Sequence, residues 1–572
     1  MRRKTPSPAP GSLAQSLSGF AVIFAALWLV HLPLLRLPYF WDEAGYFIPA
    51  AHDLLLTGDL IPHTTLSNAH PPLVMIWLAL CWKLTAYSPL ITRTAMLAVA
   101  AFGFTGLWLL ARRIASPPIA IATVVLTALS PTVFSQSVMA QLDIAAFALV
   151  LWTLYSHICG RRWHAVAFAA LAAVAKETTV AVTLTLFGAD LLSAIAYRWR
   201  PQLAAKWCLP RQSFMRCAAY LLTLLPLVGW YSYHFHRTGH VFGNPDYLRY
   251  NVGATVTPFR ILFAGLMRLW HATGYMNLFV LTASALVLLW SAKSSAPPNS
   301  GSPHMPSFGM CGDATTAGGP HMPSFGMCGD ATKDGPPRPI APAIQLLFAL
   351  VVLAQAAEFS VVGGALLARY MIPAIPLVVL LAVNILRLYA PQWKWWIAGC
   401  AVAFVAALLF NPPWFISPED NLTWTQFVKM HQQAASYVEQ HYPQDRILTA
   451  WPASDELNRP FLGYVQKPLS VVRLENFTAE EVLGASQQPD SFDVVVAFST
   501  KFEPQHGLFQ LIPGWTRIQT RYFDFHQDLP PATIARMLHG RIVYKAATNG
   551  EWVAVIEIDK VRNAKLPGFA RF

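Results

Sequence analysis

Long apolar runs dominate the first 410 residues and are separated by short polar or basic segments. Runs of bilayer-crossing length lie at 17–36, 91–111, 118–136, 142–158, 163–197, 217–233, 275–291, 341–357, 367–388 and 394–410. A helix needs about 20 residues to cross the hydrocarbon core, so the run at 163–197 is too long for one crossing. Lys176-Glu177 divides it into two. The pattern predicts a mainly α, polytopic membrane protein with eleven crossings.

After residue 410 the pattern changes to that of a soluble α/β domain. The segment from Thr423 to His441 predicts a helix, and TAEEVLGA predicts another. Residues 447–451, 469–474 and 492–498 predict strands, and Asn549-Gly550 predicts the turn of a final hairpin. We therefore expect a tail at 1–16, a transmembrane catalytic domain at 17–410, and an α/β domain at 411–572.

The composition indicates lipid, not nucleic acid, as the partner of this basic chain. Its net charge is +12, yet only 12% of the residues are charged and the mean hydropathy is +0.41. Soluble proteins carry about 25% charged residues. The first apolar run lacks a small-residue cleavage site, so we expect a retained span in an integral protein of the bacterial inner (plasma) membrane.

The basic residues between the apolar runs predict the orientation. The positive-inside rule places the N-terminus and the basic loops in the cytoplasm, and the C-terminal domain then lies outside. This parity holds only if the apolar stretch 71–87 enters and leaves on the outer side, as a re-entrant or interfacial helix. The inward loop 292–340 repeats HMPSFGMCGDAT at 304–315 and 321–332 and is rich in Gly, Pro and Ser, which predicts disorder.

Two acidic positions on the predicted outer face are candidates for catalysis. Asp42 and Glu43 follow the first span, and Asp143 lies at the junction of two later spans. The acidic pair could simply mark a helix end, and Asp143 could simply cap a helix. The predicted parity places Asp42 and Asp143 on one face, where two acids can serve as a general base and as a hydroxyl or metal ligand.

Three basic positions on the same face are candidates for binding a phosphate. Lys176 interrupts an apolar run, Arg369 begins the span at 367–388, and His70 precedes Pro71-Pro72. A solvated turn, an interfacial anchor and a structural histidine are the simpler interpretations of the three. A departing phosphate needs positive charge, and an acceptor hydroxyl needs a base, so the combined set favours group transfer from a lipid phosphate.

The ordered motifs WDEAGY, HPPL, SPTVFSQSVMAQLD, AKE and RYMIPAIPL resemble those of the polytopic GT-C glycosyltransferases. The resemblance covers about residues 20–410, and it is strongest to protein O-mannosyltransferases and lipid A aminoarabinose transferases. It implies an inverting transferase with a polyprenyl-phosphate sugar donor and a lipid, glycan or protein acceptor. It further implies that Asp42, accompanied by Glu43 and Asp143, positions or deprotonates the acceptor, and that Lys176 and Arg369 contact the donor phosphate.

One motif departs from the aminoarabinose-transferase pattern. Those relatives carry Glu-Lys before the paired prolines, where this chain has Ala69-His70. The departure leaves open whether a divalent cation takes part, and His70 could still donate a hydrogen bond to a phosphate. Two other functions remain open from the sequence, namely a flippase or transporter for lipid-linked sugars and a catalytically silent membrane scaffold.

Overall fold

The computed structural model describes residues 13–209, 217–243, 245, 249, 256–294, 339–503, 507–523, 525–548 and 550–559. The predicted tail at 1–16 and loop at 292–340 therefore fall largely outside the described residues. Both copies of the repeat, and Asn549 of the predicted turn, lie outside them entirely.

Apolar helices make up the part of the chain before residue 410. They span Leu13–Val30, Ile48–Thr57, Leu73–Leu84, Pro89–Ile114, Pro117–Leu129, Pro131–Val138, Leu142–Ile158, Arg162–Ala175, Val180–Trp199, Pro201–Trp207, Leu224–Thr238, Pro258–Thr273, Leu278–Ser294, Pro342–Val361, Ile375–Tyr389 and Trp393–Leu409. Within the described residues, three helices are long and apolar enough to cross a membrane, and five segments qualify if each of two bent pairs counts as one span. The mainly α, polytopic fold class is thus confirmed, and the number of crossings stays a prediction.

Two breaks in the apolar runs follow from local sequence. The run at 163–197 is divided as predicted, because Lys176 has extended backbone angles between the helices Arg162–Ala175 and Val180–Trp199. The predicted span at 118–136 is instead two helices that meet at 70°. Proline restricts the residue before it and removes a helix hydrogen bond, so the bend falls at Ser130-Pro131.

The helix Pro258–Thr273 was not predicted. It meets Leu278–Ser294 at 84°, so the second helix begins close to where the sequence predicts a span and the first one precedes it. Arg260, Arg268 and His271 interrupt its apolar pattern, yet all three side chains are buried. The two arginines donate to backbone carbonyls of the segment 363–367, which immediately precedes Arg369.

The C-terminal domain is built on a mixed five-stranded sheet. Its strands are β1 (Arg446–Ala450), β2 (Ser470–Leu474), β3 (Val494–Phe498), β4 (Gly540–Thr548) and β5 (Glu551–Ile558), in the order β2-β1-β3-β5-β4. Pairs β1/β2 and β1/β3 are parallel, and β3/β5 and β4/β5 are antiparallel. Helices span Trp424–His441, Ala453–Asn458, Ala479–Ser486, Trp515–Tyr522 and Pro531–Met537. The predicted strands, hairpin and two helices are all present.

The C-terminal domain packs against residues 37–47, the segment that follows the first apolar helix. Trp41 has a positive φ of 46°, and its ring contacts the rings of Phe427 and Trp451 edge-on, with centroids 5.5 Å and 5.6 Å away. Gly45 approaches Trp451 so closely that a methyl group there would lie 2.2 Å from the indole nitrogen. A strained backbone conformation persists only where the surrounding structure holds it. This packing therefore fixes Asp42, the residue after Trp41.

Candidate functional site

A cavity of about 1150 Å³ lies between the membrane part and the C-terminal domain. Its wall includes five of the predicted site residues, namely Asp42, His70, Asp143, Lys176 and Arg369. Asp42 and Asp143, which belong to two separate segments of the chain, therefore meet at one cavity. Pockets of this size that combine apolar walls with a few converging polar groups are where proteins usually bind small ligands.

Arg369 is the centre of a buried charged cluster. It lies in a short 3₁₀ turn, Ala368–Met371, ahead of the helix Ile375–Tyr389, and its side chain is buried. Nη2 is 2.5 Å from Asp42 Oδ2, and Nη1 is 2.6 Å from Glu419 Oε2. Nη1 also donates to the Gln141 side-chain oxygen. The planar fork of a guanidinium suits such simultaneous contacts, and burial rules out the simpler interpretation as an interfacial anchor.

Asp143 and Lys176 form the second half of this cluster. Lys176 Nζ donates to Asp143 Oδ1 over 2.5 Å, and Asp143 Oδ2 lies 3.6 Å from Arg369 Nε. Gln141, not Asp143, occupies the N-cap position of the helix Leu142–Ile158. The capping interpretation of Asp143 and the solvated-turn interpretation of Lys176 therefore do not hold. We call Asp42, Asp143, Lys176, Arg369 and Glu419 the Arg369 cluster.

Two stacked rings support the ammonium group of Lys176. Phe359 and Tyr370 stack with centroids 4.8 Å apart, and Lys176 Nζ lies 4.4 Å from the Tyr370 centroid. Arg268 lies over the same Tyr370 ring at 4.9 Å. A cation over an aromatic face is attracted by its quadrupole, by about 2 kcal/mol when desolvated. The stacked rings therefore help to hold Lys176 at the cavity wall.

Asp42 is the most accessible carboxylate of the Arg369 cluster. Its side chain is 21% exposed, whereas those of Asp143 and Glu419 are each 5% exposed. All three contact the guanidinium of Arg369, which orients them. All three also line the cavity, and Asp42 presents the largest exposed fraction to it.

Glu43 does not reach the cavity. It is fully buried, with Oε1 2.6 Å from Arg93 Nη1, and it also accepts from the backbone N–H groups of Phe40 and Ala140. Its contacts connect residues 37–47 to the helix Pro89–Ile114 and to Ala140, which lies three residues before Asp143. The structure thus separates the two members of the predicted acidic pair, and it gives Glu43 the contacts of a structural residue.

His70 lies at the cavity wall but apart from the Arg369 cluster. Its ring Nδ1 is 3.1 Å from Glu177 Oε2. Ala69, directly before it, has a positive φ of 57°, and its carbonyl accepts from Trp230.

Glu419 is a member of the cluster that the sequence analysis missed. It lies in the 3₁₀ turn Pro418–Asp420, just after the last apolar helix, and its Oε1 is buried without a hydrogen-bond partner among the described residues. Burial raises the pKa of Glu419 to about 7. The charge of Arg369 lowers this pKa, whereas the nearby carboxylates of Asp42 and Asp143 raise it. An acidic pair directly after an apolar run, Glu419-Asp420, is the same signal that identified Asp42-Glu43.

Within the described part of the chain, no group of three or more His, Cys, Asp and Glu side chains is arranged to hold a metal ion. The carboxylates at the centre of the cavity wall instead contact Arg369 and Lys176. The role of a divalent cation therefore stays an open prediction.

No protein-family model matches the sequence, and no curated protein matches it. The fold does match solved structures of ArnT from Cupriavidus metallidurans. The structure bound to undecaprenyl phosphate has a TM-score of 0.51 and 14% sequence identity, and the match covers 98% of this chain and 100% of that one. The structure in the apo state has a TM-score of 0.49 and 13% sequence identity, and that match covers 95% of this chain and 98% of that one.

An identity of 14% carries information about the fold, and the match extends over both parts of the chain. It includes the C-terminal domain, which the resemblance of the sequence motifs did not cover. The fold class expected from the sequence, a mainly α membrane protein with a C-terminal α/β domain, is therefore confirmed. Over both of these parts the chain has the fold of ArnT.

Proposed function

We propose that this protein transfers a sugar from a polyprenyl-phosphate donor to an acceptor hydroxyl on the outer side of the membrane. The observation that carries this proposal is the Arg369 cluster, in which two cations and three carboxylates meet at one cavity. The fold match to ArnT bound to undecaprenyl phosphate supports the same class of donor. The acceptor is a lipid, a glycan or a protein.

In the proposed transfer, one glycosidic bond forms and one bond to phosphate breaks. Asp42 accepts the proton of the acceptor hydroxyl, whose oxygen attacks the anomeric carbon and forms the new glycosidic bond. The bond from that carbon to the phosphate oxygen breaks, and polyprenyl phosphate leaves with the electron pair. Attack opposite to the leaving group inverts the anomeric configuration.

Lys176 and Arg369 stabilise the departing phosphate. An ammonium has three donors, and Asp143 occupies one of those of Lys176. The Nε of Arg369 is buried without a hydrogen-bond partner among the described residues. In the proposed transfer these donors stabilise the negative charge that develops on the phosphate, and electrostatic stabilisation of this kind is usually the largest contribution to catalysis. Asp143 and Glu419 orient the two cations, and Glu43 positions the segment that carries Asp42.

The direct test replaces Asp42 with Asn in the purified full-length protein, with a labelled polyprenyl-phosphate sugar as donor and membrane extract as acceptor. We expect turnover to fall by about 10²–10⁴-fold, the usual contribution of a general base. The matched control is Glu480→Gln, an exposed acid on the helix Ala479–Ser486. Turnover of Asp42→Asn close to that of the control would remove Asp42 from the catalytic role.

Broken helices are a feature of transporters, and two pairs in this chain are bent by 70° and 84°. A flippase for lipid-linked sugars is therefore the second candidate function. Reconstitution in liposomes separates the candidates. Formation of a glycosylated product indicates a transferase, and movement of the labelled lipid between leaflets without product indicates a flippase. If neither is observed, the protein is a scaffold.

We also propose that the protein is an inner-membrane protein with its N-terminus in the cytoplasm and residues 411–572 outside. The proposed chemistry requires this orientation, because the cavity lies between the membrane part and that domain. Alkaline phosphatase fused after residue 559 should be active in cells, since this reporter folds only outside the cytoplasm, and a fusion before residue 13 should be inactive. The opposite pattern would contradict the orientation.

A further inference from the structure

The cavity continues beyond the Arg369 cluster to a wall supplied by the C-terminal domain. Trp451, residues 499–503 and Glu551 belong to that wall, and the proposed transfer gives none of them a role. Phe415, from the segment that follows the last apolar helix, meets Phe502 edge-on at 5.1 Å. We call this region the C-terminal wall.

Glu551 is the buried acid of the C-terminal wall. It begins β5, it is 5% exposed, and its Oε2 has no hydrogen-bond partner among the described residues. Burial raises the pKa of Glu551 to about 8, so its carboxyl group is mostly protonated at neutral pH. A protonated carboxyl can both donate and accept a hydrogen bond. Leaving a buried polar atom unpaired costs free energy, which a ligand in the cavity would offset.

The rings around Glu551 offer apolar faces next to this polar group. Phe502 packs against Gly550, the residue before Glu551, and it also meets Phe415. Trp451 lies in the same wall. Binding sites for small polar ligands combine aromatic walls with a few oriented polar groups. A sugar ring matches this combination, since it has apolar C–H faces and a rim of hydroxyl groups.

The charge of the C-terminal wall argues against a second phosphate there. Among the described lining residues, this wall has three acidic side chains, Glu475, Glu503 and Glu551, and one Lys or Arg side chain, Lys501. Over the whole described cavity lining, eight Asp and Glu side chains face three Lys and Arg side chains, and two of those three belong to the Arg369 cluster. A protonated Glu551 adds no repulsion, but the carboxylates of Glu475 and Glu503 would repel an anionic group from this wall, whereas they would not repel an uncharged sugar.

We propose that Glu551 and Phe502 form a subsite for an uncharged sugar ring at the C-terminal wall. The subsite rests on the proposed function, and its sugar belongs either to the donor or to a glycan acceptor. In both cases the C-terminal domain takes part in substrate selection.

The test measures binding to the purified full-length protein with three probes: undecaprenyl phosphate, undecaprenyl-phosphate glucose and maltotriose. The variants are Glu551→Ala, Glu551→Gln and Phe502→Leu, with Glu480→Ala as the exposed control. We expect Glu551→Ala and Phe502→Leu to weaken one sugar-bearing probe by about tenfold, and to leave undecaprenyl phosphate unchanged. The amide of Glu551→Gln also donates and accepts, so this variant should stay within about threefold of wild type.

The probes distinguish the two sources of the sugar. Weaker binding of undecaprenyl-phosphate glucose alone assigns the subsite to the donor, and weaker binding of maltotriose alone assigns it to the acceptor. Unchanged binding of both sugar probes by Glu551→Ala, or no binding of either sugar by the wild type, would overturn the subsite. Failure of the wild type to bind undecaprenyl phosphate would contradict the proposed function instead, and the maltotriose comparison would still test the subsite.

Discussion

Nη1 of Arg369 lies 2.6 Å from Oε2 of Glu419, and this ion pair joins the membrane part to the segment that leads into the C-terminal domain. The same guanidinium contacts Asp42, which follows the first apolar helix. One side chain therefore connects three regions that are far apart in sequence. A buried ion cluster depends on all its members, because removal of one leaves an uncompensated charge.

Replacing Arg369 with Lys should abolish most of the activity although the charge is kept. A single ammonium cannot contact Asp42, Glu419 and Gln141 in the geometry of the planar fork. We expect a fall in turnover of about 100-fold, as follows from a misplacement of about 1 Å. Sugar transfer by Arg369→Lys should be compared with that by Arg36→Lys, an exposed arginine six residues before Asp42. Equal rates would show that the fork geometry is not needed.

Replacing Lys176 with Gln should weaken the binding of the lipid phosphate. A hydrogen bond to a charged group contributes about 1.5–3 kcal/mol, so the affinity for undecaprenyl phosphate should fall by about 10–100-fold. Lys83→Gln is the matched control, because Lys83 is an exposed lysine on the helix Leu73–Leu84. Titration of both variants with undecaprenyl phosphate decides the matter, and an unaltered affinity of Lys176→Gln would remove Lys176 from the phosphate site.

Replacing Glu43 with Gln should reduce stability more than turnover. Arg93 would be left buried without its carboxylate partner, which typically costs about 3–5 kcal/mol of unfolding free energy. The unfolding midpoint in detergent should drop well below that of Glu480→Gln. Turnover of the folded fraction should fall by no more than about threefold from wild type. Loss of a general base would instead lower turnover by about 10²-fold or more. A stable Glu43→Gln protein without activity would return Glu43 to a catalytic role.

Glu419 should make the stability of the protein depend on pH. Its carboxyl has an ordinary pKa of 4.5 and a folded-state pKa of about 7, raised mainly by burial. Between these values the folded state holds a proton that the unfolded state has lost, so the unfolding free energy should decrease as pH rises from about 4.5 to about 7. Glu419→Gln cannot titrate, and its unfolding midpoint should fall less over this range. Parallel curves for the two proteins would contradict the raised pKa.

Replacing Gly45 with Ala should disturb the contact between the two parts of the protein. The added methyl group would lie 2.2 Å from the Trp451 indole nitrogen, so the ring has to move. Overpacking of this kind costs about 1–3 kcal/mol, and Asp42 lies three residues away. We expect a lower unfolding midpoint together with slower transfer. Gly399→Ala is the control, since a methyl group at Gly399 would meet no atom within 4 Å.

Hydrophobic pattern predicted most of the architecture, because a helix in lipid and a strand in a sheet each impose a period on the sequence. The division at Lys176 and the strands of the C-terminal domain are examples. The helix Pro258–Thr273 was missed because Arg260 and Arg268 lower its hydropathy. Both guanidinium groups donate to carbonyls of the segment 363–367, and a local sequence pattern cannot predict such a long-range contact.

Four of the five residues of the Arg369 cluster were predicted from the sequence, and the fifth was missed because its contact is also long-range. Charged residues next to apolar runs, such as Asp42, Asp143, Lys176 and Arg369, are conspicuous in sequence. Position in sequence does not tell on which side of the chain a carboxylate points, so Asp42 and Glu43 could not be separated. Glu419 had the same signal but was assigned to a different domain, and only the folded chain brings it to Arg369.

The position of Glu419 has a consequence for biosynthesis. The chain is made from its N-terminus, and the helices that carry Asp143, Lys176 and Arg369 enter the bilayer before residue 419 leaves the ribosome. Until then, the guanidinium lacks one of its anionic partners. A nascent or truncated chain that ends before this turn would thus have its spans inserted but its charged centre incomplete, which would delay the appearance of activity until the turn that carries Glu419 has been made.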